Sequence, residues 1–130
     1  YGFVQSPILA ALVLAQSPLG DTLRQLAGTV TVAVYVDDIS LSSNDLPALR
    51  DAFKEISMAF APSSFNANNA KTVKPCEALS VFNCDLSIDS ATVLPERIAE
   101  FYASPRSPAS IAGFQRYVDS VVNGNGKTEI

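Results

Sequence analysis

From residue 46 to residue 60 the apolar side chains Leu46, Leu49, Phe53, Ile56 and Phe60 recur every three or four positions, with polar and charged residues between them. That spacing predicts an amphipathic helix, starting at Asn44 or Asp45 and buried along one stripe. Upstream the pattern is different. Residues 30–35 are rich in β-branched side chains and predict a strand, and Ile39, Leu41 and the serines around them predict a second. Only Val36-Asp37-Asp38 separates the two, which makes a hairpin. Before them, residues 8–15 are apolar without a break. Ser6 and Pro7 predict a helix over residues 7–16, with Ser6 as its cap, and the lack of a polar face predicts burial on most sides. Ser17-Pro18-Leu19-Gly20 ends that helix, and Leu23 and Leu26 mark a further helical turn that Gly28 stops.

Beyond residue 60 the elements shorten. Pro62-Ser63-Ser64 breaks the long helix, and an Asn-rich polar stretch leads to Thr72-Val73, a short strand candidate. Residues 79–82 and 86–88 read as a hairpin turning near Asn83, and residues 91–94 as another strand. Pro95 opens a helix carrying Ile98 and Phe101. After the linker Ser104-Pro105-Arg106-Ser107-Pro108, a last helix carries Ile111, Phe114, Val118 and Val121 and stops at Asn123-Gly124-Asn125-Gly126. The order predicts an α+β fold with helices on one face of an antiparallel sheet.

Composition changes this picture little. At 130 residues, 48% hydrophobic and 17% charged, the chain is long enough for one globular domain. Its longest apolar run is well short of a bilayer span, and Tyr1-Gly2-Phe3 lacks the basic start of a secretory signal, so no membrane partner is expected. Two cysteines and no histidine exclude a disulfide scaffold or a four-ligand zinc site; Cys76 and Cys84 read as free thiols of a cytoplasmic protein. A net charge of −4 implies weak binding of nucleic acid by this chain alone.

The unusual feature is Asp37-Asp38. Hairpin turns favour a single Asp or Asn followed by Gly, and adjacent carboxylates repel each other. A divalent cation would cancel that repulsion, and Mg²⁺ prefers one or two carboxylates together with phosphate oxygens. The competing reading is a solvated turn that happens to carry two acids.

Tyr35-Val36-Asp37-Asp38 resembles the Tyr-x-Asp-Asp signature of the reverse transcriptase palm. Other elements follow in that family's order. Gly2-Phe3-Val4-Gln5-Ser6-Pro7-Ile8-Leu9 is similar to its glycine loop and Ser-Pro helix, and Asn68-Asn69-Ala70-Lys71-Thr72 to its Asn-x-x-Lys-Thr element. Val81-Phe82-Asn83 resembles its primer-grip hairpin, and residues 111–121 resemble the first thumb helix of bacterial enzymes of retron and phage-defence type. Tyr1 stands where the family usually has Gln, and Asn83 where it has Gly.

The resemblance implies RNA-templated DNA synthesis by two-metal catalysis, with an RNA template, a DNA primer and deoxynucleotides as partners. Asp37 would be the direct Mg²⁺ ligand and Asp38 a weaker one, while Lys71 would neutralise or protonate the departing pyrophosphate. Gly2, Phe3, Gln5 and Ser6 would face nucleotide and template, and Phe82 and Asn83 the primer. It further implies an incomplete palm over residues 1–104 and the start of a thumb over 105–130. The fingers and the third carboxylate, and with it part of the two-ion site, would lie outside the chain. Such a fragment is expected to be inactive alone and to self-associate by edge pairing or by exchange of its first helix. Two alternatives stand beside this: a non-catalytic interaction domain that retains the palm fold, and the palm of an RNA-templated RNA polymerase.

Overall fold

The computed structural model describes residues 4–124, and each of its α-helices starts with proline in the first or second position: α1 (Ser6–Ala15), α2 (Pro18–Leu26), α3 (Leu46–Ala59), α4 (Pro95–Tyr102) and α5 (Pro108–Asn123). Proline suits these sites because the first-turn N–H groups have no intrahelical acceptor and its φ is already helical. Between the helices lie the antiparallel strands β1 (Thr31–Tyr35), β2 (Asp38–Ser42), β3 (Ala78–Val81), β4 (Cys84–Ser87) and β5 (Ala91–Val93). The fold is mixed α and β, as expected. Its strands form two sheets, however, β1-β2 and β3-β4-β5, where the sequence pattern predicted one. Thr72 and Val73 join neither: the Thr72 N–H and hydroxyl both donate to the Asn68 carbonyl and hold the segment in a turn.

Two compact units result, Tyr1–Pro75 and Cys76–Ile130. The division falls upstream of the linker at residues 104–108, because stacking of Phe101 on Phe114 ties α4 to α5 across that linker.

In the first unit, Leu19, Leu23 and Leu26 of α2 meet Ala52, Ile56 and Ala59 of α3, with Val30 between the helix and β1. Val32, Ile39 and Leu41 of the hairpin are half-buried against this cluster. Of the predicted stripe, Leu49 and Ile56 are buried and Phe53 and Phe60 half-buried, while Leu46 in the first turn is exposed. Asp45 caps the helix by accepting from the Ala48 N–H at 3.2 Å. The start of α2 is fixed from two sides. Ser17, itself buried, accepts from the Gly20 N–H at 3.1 Å, while Ser63 accepts from the Leu19 N–H at 2.7 Å and donates to the Ala59 carbonyl. That second bond brings the 3-10 turn Ala61–Ser63, just after α3, against the first turn of α2.

Helix α1 departs from expectation. Ser6 is its first residue rather than its cap; Gln5 holds the cap position and makes no side-chain capping bond. Nor is the helix buried: Ile8, Leu9, Leu12 and Val13 are all more than half exposed, and Leu14 alone reaches the core cluster. An apolar helix without a polar face needs a neighbour on several sides, and within the first unit α1 touches mainly α2.

In the second unit, Val93 of β5 and Phe114 of α5 are buried, and β5 packs on α5. Phe101 and Phe114 stack with centroids 3.9 Å apart and Tyr102 meets both edge-on. The Arg106 guanidinium lies 5.1 Å from the Phe101 ring centre and also donates to the Phe101 carbonyl, so the linker is pinned by a cation–π contact and a hydrogen bond. Among the described residues no helix is long and apolar enough to cross a membrane.

Gly20 carries a prediction. A Cβ added there would collide with the Leu14 carbonyl oxygen, a backbone atom that has no rotamer to retreat into. Gly20→Ala is therefore expected to lower stability by about 1–3 kcal/mol in urea denaturation, although alanine is the better helix former. An unchanged midpoint would show that α1 does not sit where this packing requires.

Candidate functional site

The β1-β2 hairpin turns through two residues, Val36 and Asp37, with Tyr35 paired to Asp38. The predicted three-residue connection is therefore one residue shorter, and Asp38 begins β2. Of the two turn residues only Val36 takes a positive φ, at 56°, the pattern of a type II′ turn. Two-residue turns of this class follow the right-handed twist of the strands. A β-branched residue in the left-handed region is nonetheless strained by about 1–2 kcal/mol, and strain of this kind concentrates at functional sites. The signal was present in the sequence: a valine, with no glycine beside it, in the tight connection between two β-forming runs.

Register sorts the hairpin into two faces. Val32 opposite Leu41 and Val34 opposite Ile39 form the face turned toward the core, while Thr31 opposite Ser42, Ala33 opposite Ser40 and Tyr35 opposite Asp38 form the other. Asp38 thus shares the outer face with Tyr35, and Asp37 occupies the tip. Both carboxylates are exposed, and neither takes part in an ion pair with a described residue: the ion pairs are Arg24–Asp21 and Arg97–Glu100. Among the described residues no group of three or more His, Cys, Asp or Glu side chains could hold a metal ion. The tip offers at most two carboxylates. That donor set suits Mg²⁺, which keeps several waters and takes its remaining oxygens from phosphate.

The other residues singled out in the sequence lie apart from this pair. Lys71 is exposed on a turn organised by Asn68, whose carbonyl accepts from the Lys71 and Thr72 N–H groups and whose side chain accepts from Ala70. It forms no salt bridge with Asp37 or Asp38. Gln5 is exposed and Ser6 half-buried at the start of α1. Gly2 and Phe3 lie outside the described residues.

Phe82 and Asn83 belong to the second unit, where they form the two-residue turn between β3 and β4. Both have positive φ, 52° and 63°, the pattern of a type I′ turn. Asn tolerates this readily; a bulky phenylalanine does so less often. Phe82 is 49% exposed at the tip, and the Asn83 carbonyl accepts from the Leu94 N–H at 2.9 Å, which ties the turn to the start of α4.

One pairing was not legible beforehand. Cys84, the first residue of β4, has its Sγ 3.6 Å from the Tyr117 hydroxyl on α5. Hydrogen bonding to Cys84, with burial second, raises the Tyr117 pKa above its ordinary value of 10.0, and Arg97 opposes the shift.

Two outcomes follow. Val36→Gly should relieve the left-handed strain at the cost of some chain entropy and raise stability by about 0.5–1 kcal/mol, read from the urea midpoint; a loss of that size would mean Val36 is unstrained. For Tyr117, a raised folded-state pKa means that the native chain keeps a proton the unfolded chain has released. Its contribution is complete below pH 10 and is lost as pH rises from there through the folded value. Tyr117→Phe should flatten the fall in melting temperature above pH 10, and an identical slope in the two proteins would contradict the assignment. In the comparisons with known proteins, no family model matches the chain, and neither does any curated protein or solved structure.

Proposed function

We propose that this chain serves as part of the palm of a reverse transcriptase, in which Asp37 and Asp38 hold Mg²⁺ for nucleotidyl transfer to a primer 3′-hydroxyl on an RNA template. The observation that carries the reading is the strained two-residue turn after Tyr35, which leaves the adjacent carboxylates Asp37, at the tip, and Asp38, at the start of β2, both exposed. A turn selected for stability alone would put Gly or Asn at Val36 and would not leave two like charges side by side. Rigid presentation of acids to solvent is what a cation-bridged phosphate substrate requires.

When bound, Mg²⁺ would lower the pKa of the attacking hydroxyl and neutralise charge on the phosphates. Asp37, at the tip, would be its direct ligand, and Asp38 would add charge from the outer face of β2. Tyr35, opposite Asp38, would support the floor on which primer or nucleotide rests. Lys71, exposed on its Asn68-organised turn, would approach the pyrophosphate when substrate is bound and supply charge or a proton as it departs. Phe82 would offer the primer an aromatic surface. The small side chains Thr31, Ala33, Ser40 and Ser42 on the outer face of the hairpin would leave a nucleic-acid backbone room to approach.

The proposal is tested at the metal first. With Mn²⁺ as a paramagnetic stand-in, titration of the isotope-labelled chain is expected to broaden the amide signals of residues 36–39 before all others. The affinity should be weak, because water fills most of the ion's shell, and Asp37→Ala should abolish the effect. Broadening spread over surface acids with no preference for the tip would sink the reading. With primer, template, nucleotides and Mg²⁺ the chain alone should give no detectable extension, since two carboxylates do not fix two ions. Placed in a palm that supplies a further carboxylate, it should support extension, and Asp37→Ala should reduce that at least about a hundredfold.

A further inference from the structure

At the end of α5 the last helical residue, Asn123, is followed by Gly124. Asn123 is exposed, Gly124 stands outside the helix with φ of 77°, and, its chain neighbours aside, no atom of a described residue lies within 4 Å of the position a Cβ would take there. The cap residues of α1, α2 and α4 donate their N–H groups to carbonyls one turn back. No such bond holds the Gly124 amide to a described residue. An exposed carboxamide followed by a glycine amide nitrogen that no described residue tethers is what ring closure between them needs, once the side chain swings off the helix. The Asn123 side chain also has a job: its Nδ2 donates to the Asp119 carbonyl at 2.9 Å and satisfies one of the last acceptors of the helix.

We infer that Asn123 is a site of spontaneous deamidation, and that its conversion loosens the last turn of α5. The Gly124 nitrogen gives up its proton and attacks Cγ of Asn123. A nitrogen–carbon bond forms, the Cγ–Nδ2 bond breaks, and ammonia leaves with the proton, which closes a succinimide. Water then opens the ring at one carbonyl or the other, to leave Asp or its isoaspartyl isomer at position 123. One water is consumed and one ammonia released, with no change of oxidation state. The product lacks the donor to the Asp119 carbonyl. It also sets a negative charge at the C-terminal end of the helix, where the helix dipole disfavours it, four residues from the Asp119 carboxylate.

The full chain is incubated at mildly alkaline pH and analysed by peptide mapping with mass spectrometry. Asn125→Gln is run in parallel, because Asn125-Gly126 follows at once in the sequence. Asn123 is expected to convert to a mixture of Asp and isoaspartate, in the wild type and in Asn125→Gln alike, ahead of Asn66, Asn68 and Asn69, which lack a following glycine. Conversion no faster than at those three, or confined to Asn125, overturns the site. The consequence is read separately on Asn123→Asp. Amide exchange at residues 121–123 should be about twofold to fivefold faster than in the wild type, and an unchanged exchange profile overturns the claim that the last turn loosens.

Discussion

The contact on which the first unit depends is the seam between α2 and α3, where leucines of one helix meet alanines and an isoleucine of the other. Small residues at Ala52 and Ala59 let α2 come close, and Gly20 lets the end of α1 come close in turn. The hairpin has no independent claim to stability, since a two-stranded sheet is marginal in water. It is ordered because Val32, Ile39 and Leu41 cover one side of that seam. Helix packing therefore determines where the hairpin lies, and the hairpin determines where its acidic tip is carried. Any substitution that opens the seam acts on the tip at second hand.

At the tip the usual priorities of folding are reversed. Val36 accepts an unfavourable backbone, Asp37 and Asp38 sit side by side, and neither forms an ion pair with a described residue. Water screens the two charges, which keeps their mutual repulsion to the order of 1 kcal/mol. The arrangement is tolerable in the free protein and would become favourable with a divalent cation and a phosphate. In the second unit Phe82 and Asn83 form another turn of high backbone cost. There the Asn83 carbonyl bond to Leu94 repays part of that cost within the fold.

Much of this was legible in the residues themselves. The spacing of α3, the β-branched run before Tyr35 and Pro95 at the start of α4 each impose a local geometry that no distant contact overrides, whereas Ser17-Pro18, read as the end of the first helix, caps and opens α2. Burial of α1 was not legible, because an unbroken apolar run states a need for neighbours without saying whether the chain provides them. The strands of the second sheet and their hairpin were read, but their separation from β1-β2 was not, because pairing across a long connection leaves no periodic trace. Of the candidate site, the acids and their hairpin could be read directly, since turn position follows from strand length. The strain at Val36 had a trace in the sequence, a valine without glycine in a tight connection, that the backbone made explicit. The Cys84–Tyr117 pair, which joins a strand to a helix far along the chain, needed the fold.

The prolines that open the helices have an effect that no contact in the folded chain records. Pro7, Pro18, Pro47, Pro95 and Pro108 give up no hydrogen bond where they stand. In the denatured ensemble, however, each has already surrendered one dihedral's freedom. Where the native φ suits it, a proline stabilises by about 0.4–1 kcal/mol through the unfolded chain alone, so five of them amount to roughly 2–5 kcal/mol. For units with so few fully buried side chains that is a large part of a typical folding free energy. The protein's resistance to denaturation thus resides partly in what its unfolded form is unable to do.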